Sequence, residues 1–363
     1  MQIEDLNCTQ FGESFPPPNS NGTVSGTVPW LIVTIVKAYR PIHNYLYTSI
    51  IIFSVFSNFA VLLVLRKKEM RGVGVNVTMI LIAFCDFFCS VSAVAQLFLR
   101  QSTDSYAAYF NAYAQIAVDY LTVSFHGSSL YLAVGMAFCR VMTLSVSDGK
   151  SERWQTPRYA LRVSFVLAAP VFLIASSILP LHTVLESEKN GIYIEIRDFA
   201  FENHCLYMKF CLIITGVCFK AVPCVVMLAL SLTLLNKVKK GMQMNAMVSQ
   251  GDRNEQLKRS TRFIQSVVVV FIVTEAPQSL IGIAGGFFIN DYLNYYQKLV
   301  IFSNVLAFLN TTTSFLVYSF LSSKFRKLFL QIFLPESVIA KIYVKSSVIQ
   351  VSTRPTASAS RTL

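Results

Sequence analysis

Seven runs of apolar residues dominate this chain. Each is near or above the ~20 residues that an α-helix needs to cross the hydrocarbon of a bilayer. The runs lie at roughly 45–65, 78–99, 112–144, 160–181, 206–235, 263–289 and 299–321. Charged residues make up only 14% of the chain, which is well below the ~25% usual for soluble domains. The sequence therefore predicts an all-α membrane protein, a seven-transmembrane helix bundle.

Basic residues set the expected orientation of this bundle. Most of the Lys and Arg lie in the segments 66–77, 145–159, 236–262 and 322–363, whereas the opposite segments carry mainly Asp and Glu. The positive-inside rule makes the basic side cytoplasmic. We expect a multi-pass protein of the plasma membrane with an extracellular N-terminus. The net charge is +12, but the basic residues form no continuous face with interleaved aromatic residues. A nucleic-acid partner is therefore excluded.

The chain divides into four expected parts: an extracellular tail (1–44), the seven-helix domain (45–321), a short amphipathic eighth helix (322–335) and a cytoplasmic tail rich in Ser and Thr (336–363). The first tail holds three consecutive prolines and the glycosylation sequons of Asn7 and Asn21. Such a composition predicts an exposed, poorly ordered segment. The run from Trp30 to Val36 is too short to cross and is expected at the membrane interface.

A polar stripe follows the third run. Its members recur at alternating steps of three and four, which places them on one side of a helix. They are Asp119, Thr122, His126, Ser129, Ala133, Met136 and Arg140. From Asp119 to Arg140 the helix rises about 31 Å, close to the thickness of the bilayer hydrocarbon. One charge is thus expected near each membrane boundary.

Two opposite charges stand in the middle of the fifth and sixth runs. Lys220 and Glu275 fall at similar depth, and charges at mid-membrane pair with each other or line a wet cavity. One interpretation is an ion pair that only ties two helices together. The other is the polar floor of a ligand pocket formed with Asp119, Thr122 and His126. A carboxylate or amine of the ligand would find a counter-charge there.

A second polar group lies deeper. Asp86 stands near the centre of the second run, where a carboxylate costs at least ~2.5–3.5 kcal/mol and needs a partner, water or an ion. Residues at similar depth on other runs suggest an ion or activation network. The candidates are Asn58, Asp86, Ser129, Asn310 and Ser314. The alternative is that Asp86 is a buried polar group with a structural role only, hydrogen-bonded by its neighbours.

Several motifs in sequence order resemble the rhodopsin-like G-protein-coupled receptors. Asn58 before a basic turn, the run Leu81 to Asp86, and Phe138-Cys139-Arg140 match the first three helices of that family. The later helices match through Pro223, Phe271, Pro277, and Tyr318 followed by Ser323-Lys324-Phe325-Arg326. The resemblance covers about 45–335.

The resemblance implies an extracellular small-molecule or peptide ligand and a heterotrimeric G protein as partners. Phosphorylation of the Ser- and Thr-rich tail is a separate hypothesis, which adds an arrestin as a partner. It also implies coupling and switch roles for Arg140, Pro223, Phe271, Pro277 and Tyr318. Proline removes a backbone hydrogen bond and kinks a helix, so Pro223 and Pro277 are either hinges or merely tolerated. Arg140 lacks a preceding acid, and its alternative role is a membrane anchor.

The departures from the family pattern are similar to those of the nematode serpentine chemoreceptors of class W, which resemble FMRFamide-type neuropeptide receptors. Gln115 stands about where the family has the third-helix Cys of its disulfide. Of the eight Cys, only Cys8 and Cys205 lie clearly outside the runs, in an oxidising compartment. We therefore expect a Cys8–Cys205 bridge.

The expected ligand is a chemosensory cue or a neuropeptide. The second extracellular loop is acidic, which would attract cationic peptides, although solvated surface explains most such runs. An ion channel or transporter is the rival class, but the sequence has no internal repeat. The chain has no phosphate loop, metal-binding pair of His or nucleophile elbow, so we expect no enzyme, no metal and no cofactor.

Overall fold

The protein is a bundle of seven long helices, seen in a computed structural model that describes residues 8–19, 24–99, 105–145, 150–187, 191–245 and 251–338. Seven helices are long and apolar enough to cross a membrane, as the sequence predicts. They are α1 (Thr27–Leu65), α2 (Gly74–Leu99), α3 (Ser105–Ser145), α4 (Pro157–Ala175), α5 (Glu202–Ile214, a π-helical turn Thr215–Ala221 and Val222–Asn245), α6 (Gly251–Phe287) and α7 (Val300–Leu321). We call the face where α1 begins the N-terminal face and the opposite one the C-terminal face.

The first helix is longer than predicted. It begins at Thr27 rather than near position 45, so the run from Trp30 to Val36 is its first part and not a separate segment. Tyr39 stacks on Phe302 of α7 with ring centroids 4.3 Å apart. Packing of this kind stabilises a helical extension that propensity alone does not, and it explains why the sequence-based boundary was wrong.

The third helix lies at the centre of the bundle. Its residues from His126 to Ala137 are buried on almost every side. Two glycines let α4 approach it closely, because a Cβ at Gly127 would lie 2.9 Å from Val171 Cγ1 and one at Gly135 would lie 2.7 Å from Leu167 Cδ1. Distances this short exclude larger residues without a shift of the neighbouring side chain.

Small hydroxyl groups join the first, second and seventh helices. The Ser54 hydroxyl lies 2.6 Å from both the Ser90 hydroxyl and the Thr311 hydroxyl. The Asn58 amide donates to the Thr311 carbonyl over 3.0 Å. Buried hydroxyls of this type satisfy one another where no water is available, and they fix α1 and α7 against α2.

A β-hairpin covers part of the N-terminal face. Strands β1 (His182–Ser187) and β2 (Gly191–Ile196) pair antiparallel from His182 opposite Ile196 to Ser187 opposite Gly191. From the sequence we expected only an acidic loop in this region. The alternation of β-branched and aromatic residues around Tyr193 was the available signal for a strand.

The tail before α1 is folded over part of the described range. Residues 8–19 pack on the N-terminal face, and Cys8 is joined to Cys205 by a disulfide with Cα atoms 5.3 Å apart. The expectation of a poorly ordered tail is therefore wrong for these residues, because its composition did not reveal their tertiary contacts. Asn7 and Asn21, the predicted glycosylation sites, lie outside the described residues.

A short helix α8 (Ser323–Phe333) follows α7. The Ser322 hydroxyl caps it by accepting from the backbone N–H of Phe325 over 3.2 Å. Phe325 is buried, and its ring stacks on Tyr318 with centroids 5.2 Å apart. The end of α7 is thus fixed to the first turn of α8.

Candidate functional site

One carboxylate in the middle of the bundle contacts four side chains from four helices. Glu275 of α6 is completely buried. Its partners are Lys220 Nζ of α5 at 2.6 Å, His126 Nε2 of α3 at 3.2 Å, Asn310 Nδ2 of α7 at 3.1 Å and Gln278 Nε2 of α6 at 3.4 Å. We call these five residues the Glu275 cluster. Any change in the position of Glu275 therefore acts on α3, α5, α6 and α7 together.

The geometry of α5 places Lys220 against Glu275. Lys220 lies in the π-helical turn Thr215–Ala221, a bulge often found at functional sites. Pro223, whose ring has no N–H to donate, lies two residues after the end of this turn. The wider turn accommodates the missing backbone hydrogen bond and rotates Lys220 into the bundle.

Two glycines bring α5 and α6 together beside the cluster. A Cβ at Gly216 would lie 2.8 Å from the backbone nitrogen of Ile283, and one at Gly282 would lie 2.8 Å from the Cα of Gly216. Small residues allow helix backbones to approach closely in membranes. This contact fixes the depth at which Lys220 meets Glu275.

Electrostatics explain why the cluster must be complete. A buried charge is stable only when it is paired and hydrogen-bonded. The Lys220 ammonium supplies the counter-charge and the two amides supply further donors. Neither ring nitrogen of His126 makes a hydrogen bond within the described residues: Nε2 lies 3.2 Å from Glu275 Oε1, and Nδ1 is available to a new contact.

A cavity of about 310 Å³ lies between the cluster and the N-terminal face. Its lining is mainly apolar, with a few polar groups. The lining includes Cys89, Thr122, His126, Gly127, Leu212, Thr215, Phe219, Lys220, Gln278, Ile281, Tyr292, Val300, Ser303, Asn304 and Phe308. A concave, mainly apolar space with a few directed polar groups is typical of a small-molecule site. Burial raises the pKa of the Tyr292 phenol, so this wall is uncharged at physiological pH.

The structure brings most of the predicted ligand-binding residues together. Thr122, His126 and Lys220 line the cavity, and Glu275 lies behind them as their shared partner. Asp119 does not line the cavity: it is exposed and accepts a hydrogen bond from Gln96. The helical spacing correctly placed Asp119 on the same side of α3 as Thr122 and His126, but it did not show that Asp119 lies beyond the end of the cavity.

Sequence reasoning missed several lining residues. Tyr292 lies in a short helix, Ile289–Asn294, between α6 and α7, and nothing in its sequence context indicates that it lines a cavity. Gln278 lies three residues after Glu275 on α6, so helical spacing from Glu275 could have found it.

The deeper polar group forms a second, smaller site. Asp86, Ser129, Asn310 and Ser314 line a cavity of about 20 Å³ together with Phe271. Ser129 lies beside Asp86 in this lining, and the Asp86 Oδ1 atom has no hydrogen-bond partner among the described residues. Asn310 lines this cavity and also contacts Glu275, so it connects the two sites. Asn58 is separate, since its amide donates to the backbones of α1 and α7.

The C-terminal face carries the predicted coupling residues. The Tyr318 hydroxyl donates to Asn76 Oδ1 over 3.0 Å, and Arg140 lies within electrostatic range of Tyr318. Phe271 is buried in the core below Glu275. Pro277 lies inside α6, two residues after Glu275. Phe271 and Tyr318 thus lie between the cluster and this face on α6 and α7, whereas Pro223 and Pro277 lie beside the cluster on α5 and α6.

Comparison with known proteins agrees with this architecture. Residues 45–335 match the family described as serpentine type 7TM GPCR chemoreceptor Srw. The chain is also similar to the G-protein coupled receptor dmsr-1 of Caenorhabditis elegans, with 26% identity in an alignment that covers 85% of this chain and 71% of that receptor. The family match covers most of the chain, which folds as a seven-helix bundle with a polar cluster beneath a cavity. The chain therefore belongs to the Srw family of seven-transmembrane G-protein-coupled receptors.

Proposed function

We propose that the ligand of this receptor enters from the N-terminal face and binds in the cavity above the Glu275 cluster. The observation that carries the proposal is the contact of one carboxylate with side chains of α3, α5, α6 and α7 beneath that cavity. A ligand that touches His126, Lys220 or Gln278 changes the contacts of Glu275. Ligand binding in the cavity thereby alters contacts of four helices.

The response is a change between two packings of the bundle. A ligand shifts such an equilibrium only through contacts that differ between the two states. Here the pair Lys220–Glu275 holds α5 to α6, and both residues lie within three positions of a proline. Loss or rotation of this pair frees α6 to move at Pro277, a hinge motion that carries its cytoplasmic end outward.

The charge balance of the cluster favours an uncharged group in the cavity. Lys220 and Glu275 neutralise each other, and the remaining lining groups carry no formal charge. An ionised carboxylate or amine would enter without a free counter-charge, which is unfavourable in an apolar space. In place of a charged ligand group that meets a counter-charge, we therefore expect an uncharged group that makes a few hydrogen bonds in a mainly apolar cavity.

Two classes of ligand fit this cavity. A volume of about 310 Å³ is at the lower end for small-molecule sites, and a small chemosensory cue fills it. A neuropeptide is the second candidate, with one terminal group in the cavity and the rest above it. The acidic residues of the hairpin support the peptide, because Glu186 and Glu195 attract cationic chains.

The orientation follows from the basic segments. We propose that the N-terminal face is extracellular and the C-terminal face cytoplasmic, in the plasma membrane, with α8 lying on the inner leaflet. Arg140 then faces the G protein, and the Ser- and Thr-rich tail recruits an arrestin after phosphorylation. Glycosidase treatment should lower the apparent mass of the wild type but not of an Asn7→Gln/Asn21→Gln variant, and an unchanged wild-type mass would contradict this orientation.

The test of function uses one signalling assay. Small odorants and amidated neuropeptides are screened for ligand-dependent nucleotide exchange on a G protein, with surface expression measured in parallel. We expect Glu275→Gln to change potency or basal exchange more than expression, and Asp119→Asn to serve as a control outside the cavity. Equal loss of expression and signalling in Glu275→Gln would make the pair purely structural. Ionic currents from purified protein in liposomes would instead favour a channel.

A further inference from the structure

The N-terminal segment from Cys8 to Pro16, which we call the strap, is attached to the loop between α6 and α7. The backbone N–H of Phe15 donates to Asp291 Oδ1 over 2.8 Å, and the Gln10 amide lies 3.5 Å from Asp291 Oδ2. Asn290 completes the contact, since its N–H donates to Gln10 Oε1 and its side chain donates to the Cys8 carbonyl. The loop and the strap thus share a continuous set of hydrogen bonds.

Asp291 is a buried carboxylate that neither polar site uses. Only 2% of its surface is exposed, and the groups that donate to its carboxylate from the strap are neutral. A buried carboxylate must be hydrogen-bonded to be stable. The loop therefore depends on the strap to keep its present fold.

The other end of the strap is attached to the start of α5. Cys8 is bonded to Cys205, and Lys209 donates to the Thr9 carbonyl. Cys205 belongs to a left-handed turn with φ values of 48°, 59° and 64° at Asn203, His204 and Cys205. Residues other than glycine rarely adopt this backbone conformation, so tertiary contacts must stabilise the turn.

Both attachments adjoin the wall of the cavity. Tyr292 follows Asp291 directly and lines the cavity with Leu212 of α5. The Tyr292 ring lies on the backbone of α6, since a Cβ at Gly285 would be 2.6 Å from its Cδ2 and 3.2 Å from Leu212 Cδ1. Leu212 and Tyr292 also pack against the apolar cluster that contains Cys8 and Cys205.

We propose that the strap and Asp291 are positioning elements of the ligand entrance, which hold Tyr292 and Leu212 on the cavity wall. The strap connects α5 to the loop between α6 and α7 across the face through which the ligand enters. Asp291 acts on the ligand only through Tyr292. The inference rests on the proposed function insofar as the cavity is the ligand site.

The experiment measures access to the cavity without a ligand. Ser303 lines the cavity, and Ser303→Cys is labelled with the small uncharged reagent methyl methanethiosulfonate in purified full-length receptor carrying Cys89→Ala. Asp291→Ala removes the acceptors of the strap. We expect labelling about tenfold faster, the factor given by loss of a hydrogen bond to a charged group. Asp291→Asn keeps an acceptor for Phe15 and should restore most of the wild-type rate.

Two further measurements distinguish a local opening of the entrance from a general loosening of the bundle. Thr34→Cys, which is exposed on α1 and does not line the cavity, should label at the same rate with or without Asp291→Ala. Hydrogen exchange of residues 288–295 should rise in Asp291→Ala and in Cys8→Ser/Cys205→Ser, but not in Asp291→Asn. If Asp291→Ala does not reach the membrane, Gln10→Ala removes part of the same contact and should give a smaller increase of the same sign.

The outcomes separate this inference from the proposed function. Unchanged Ser303→Cys labelling and unchanged exchange in the strap variants would overturn the positioning role and leave the role of the Glu275 cluster intact. Faster labelling in the strap variants, together with a ligand response that no cavity substitution changes, would support the positioning role of the strap. The same result would refute the cavity as the ligand site.

Discussion

Removing one member of the Lys220–Glu275 pair should destabilise the resting packing of the bundle. The two groups lie 2.6 Å apart with Glu275 fully buried. Breaking a buried pair from one side costs about 3–5 kcal/mol. In Lys220→Met the carboxylate keeps the amides of Asn310 and Gln278, so we expect a value near the lower limit, ~3 kcal/mol.

The same free energy predicts the size of the functional effect. If the pair exists only in the resting state, a loss of ~3 kcal/mol raises the ratio of active to resting receptor about 150-fold, because each 1.4 kcal/mol is a factor of ten. Lys220→Met should therefore show high basal nucleotide exchange. The double variant Lys220→Met/Glu275→Gln removes both charges, and its stability should return most of the way towards that of the wild type.

The assay combines thermal unfolding of purified receptor with basal nucleotide exchange per receptor at the cell surface. A double-mutant cycle of the two substitutions gives the coupling energy of the pair. Asp119→Asn is the matched control, because it alters a charge of the same helix bundle outside the cavity. Additive effects of the two single variants, or a double variant less stable than either one, would refute the reasoning.

Three further predictions concern other parts of the bundle. Gly282→Ala should lose expression, since its Cβ would meet backbone at 2.8 Å and overpacking costs ~1–3 kcal/mol, whereas Gly72→Ala, with nothing within 4 Å, should express normally. Arg140→Ala should reach the surface and lose most G-protein activation; undiminished activation would reduce Arg140 to a membrane anchor. Mass spectrometry of non-reduced digests should find a Cys8–Cys205 peptide, and two free thiols would contradict that pairing.

Much of the fold could be predicted from apolar run length alone. Each of the seven runs coincides over most of its length with a helix long enough to span, because no other single segment satisfies its own backbone in lipid. The start of α1 was missed because packing between Tyr39 and Phe302, and not local composition, extends that helix. The hairpin was missed because its acidic residues are equally typical of a solvated loop.

The sequence by itself determined the membrane class, the helix count and the presence of opposite charges at mid-depth in α5 and α6. These are local properties, since lipid imposes them on each segment separately. Only the tertiary structure decided that Asn310 and Gln278 join Glu275, that Asp119 stays outside the cavity, and that the strap reaches Asp291 across more than 270 residues of chain. Rotation and depth of a helix depend on its neighbours, and those contacts connect residues that no local pattern relates.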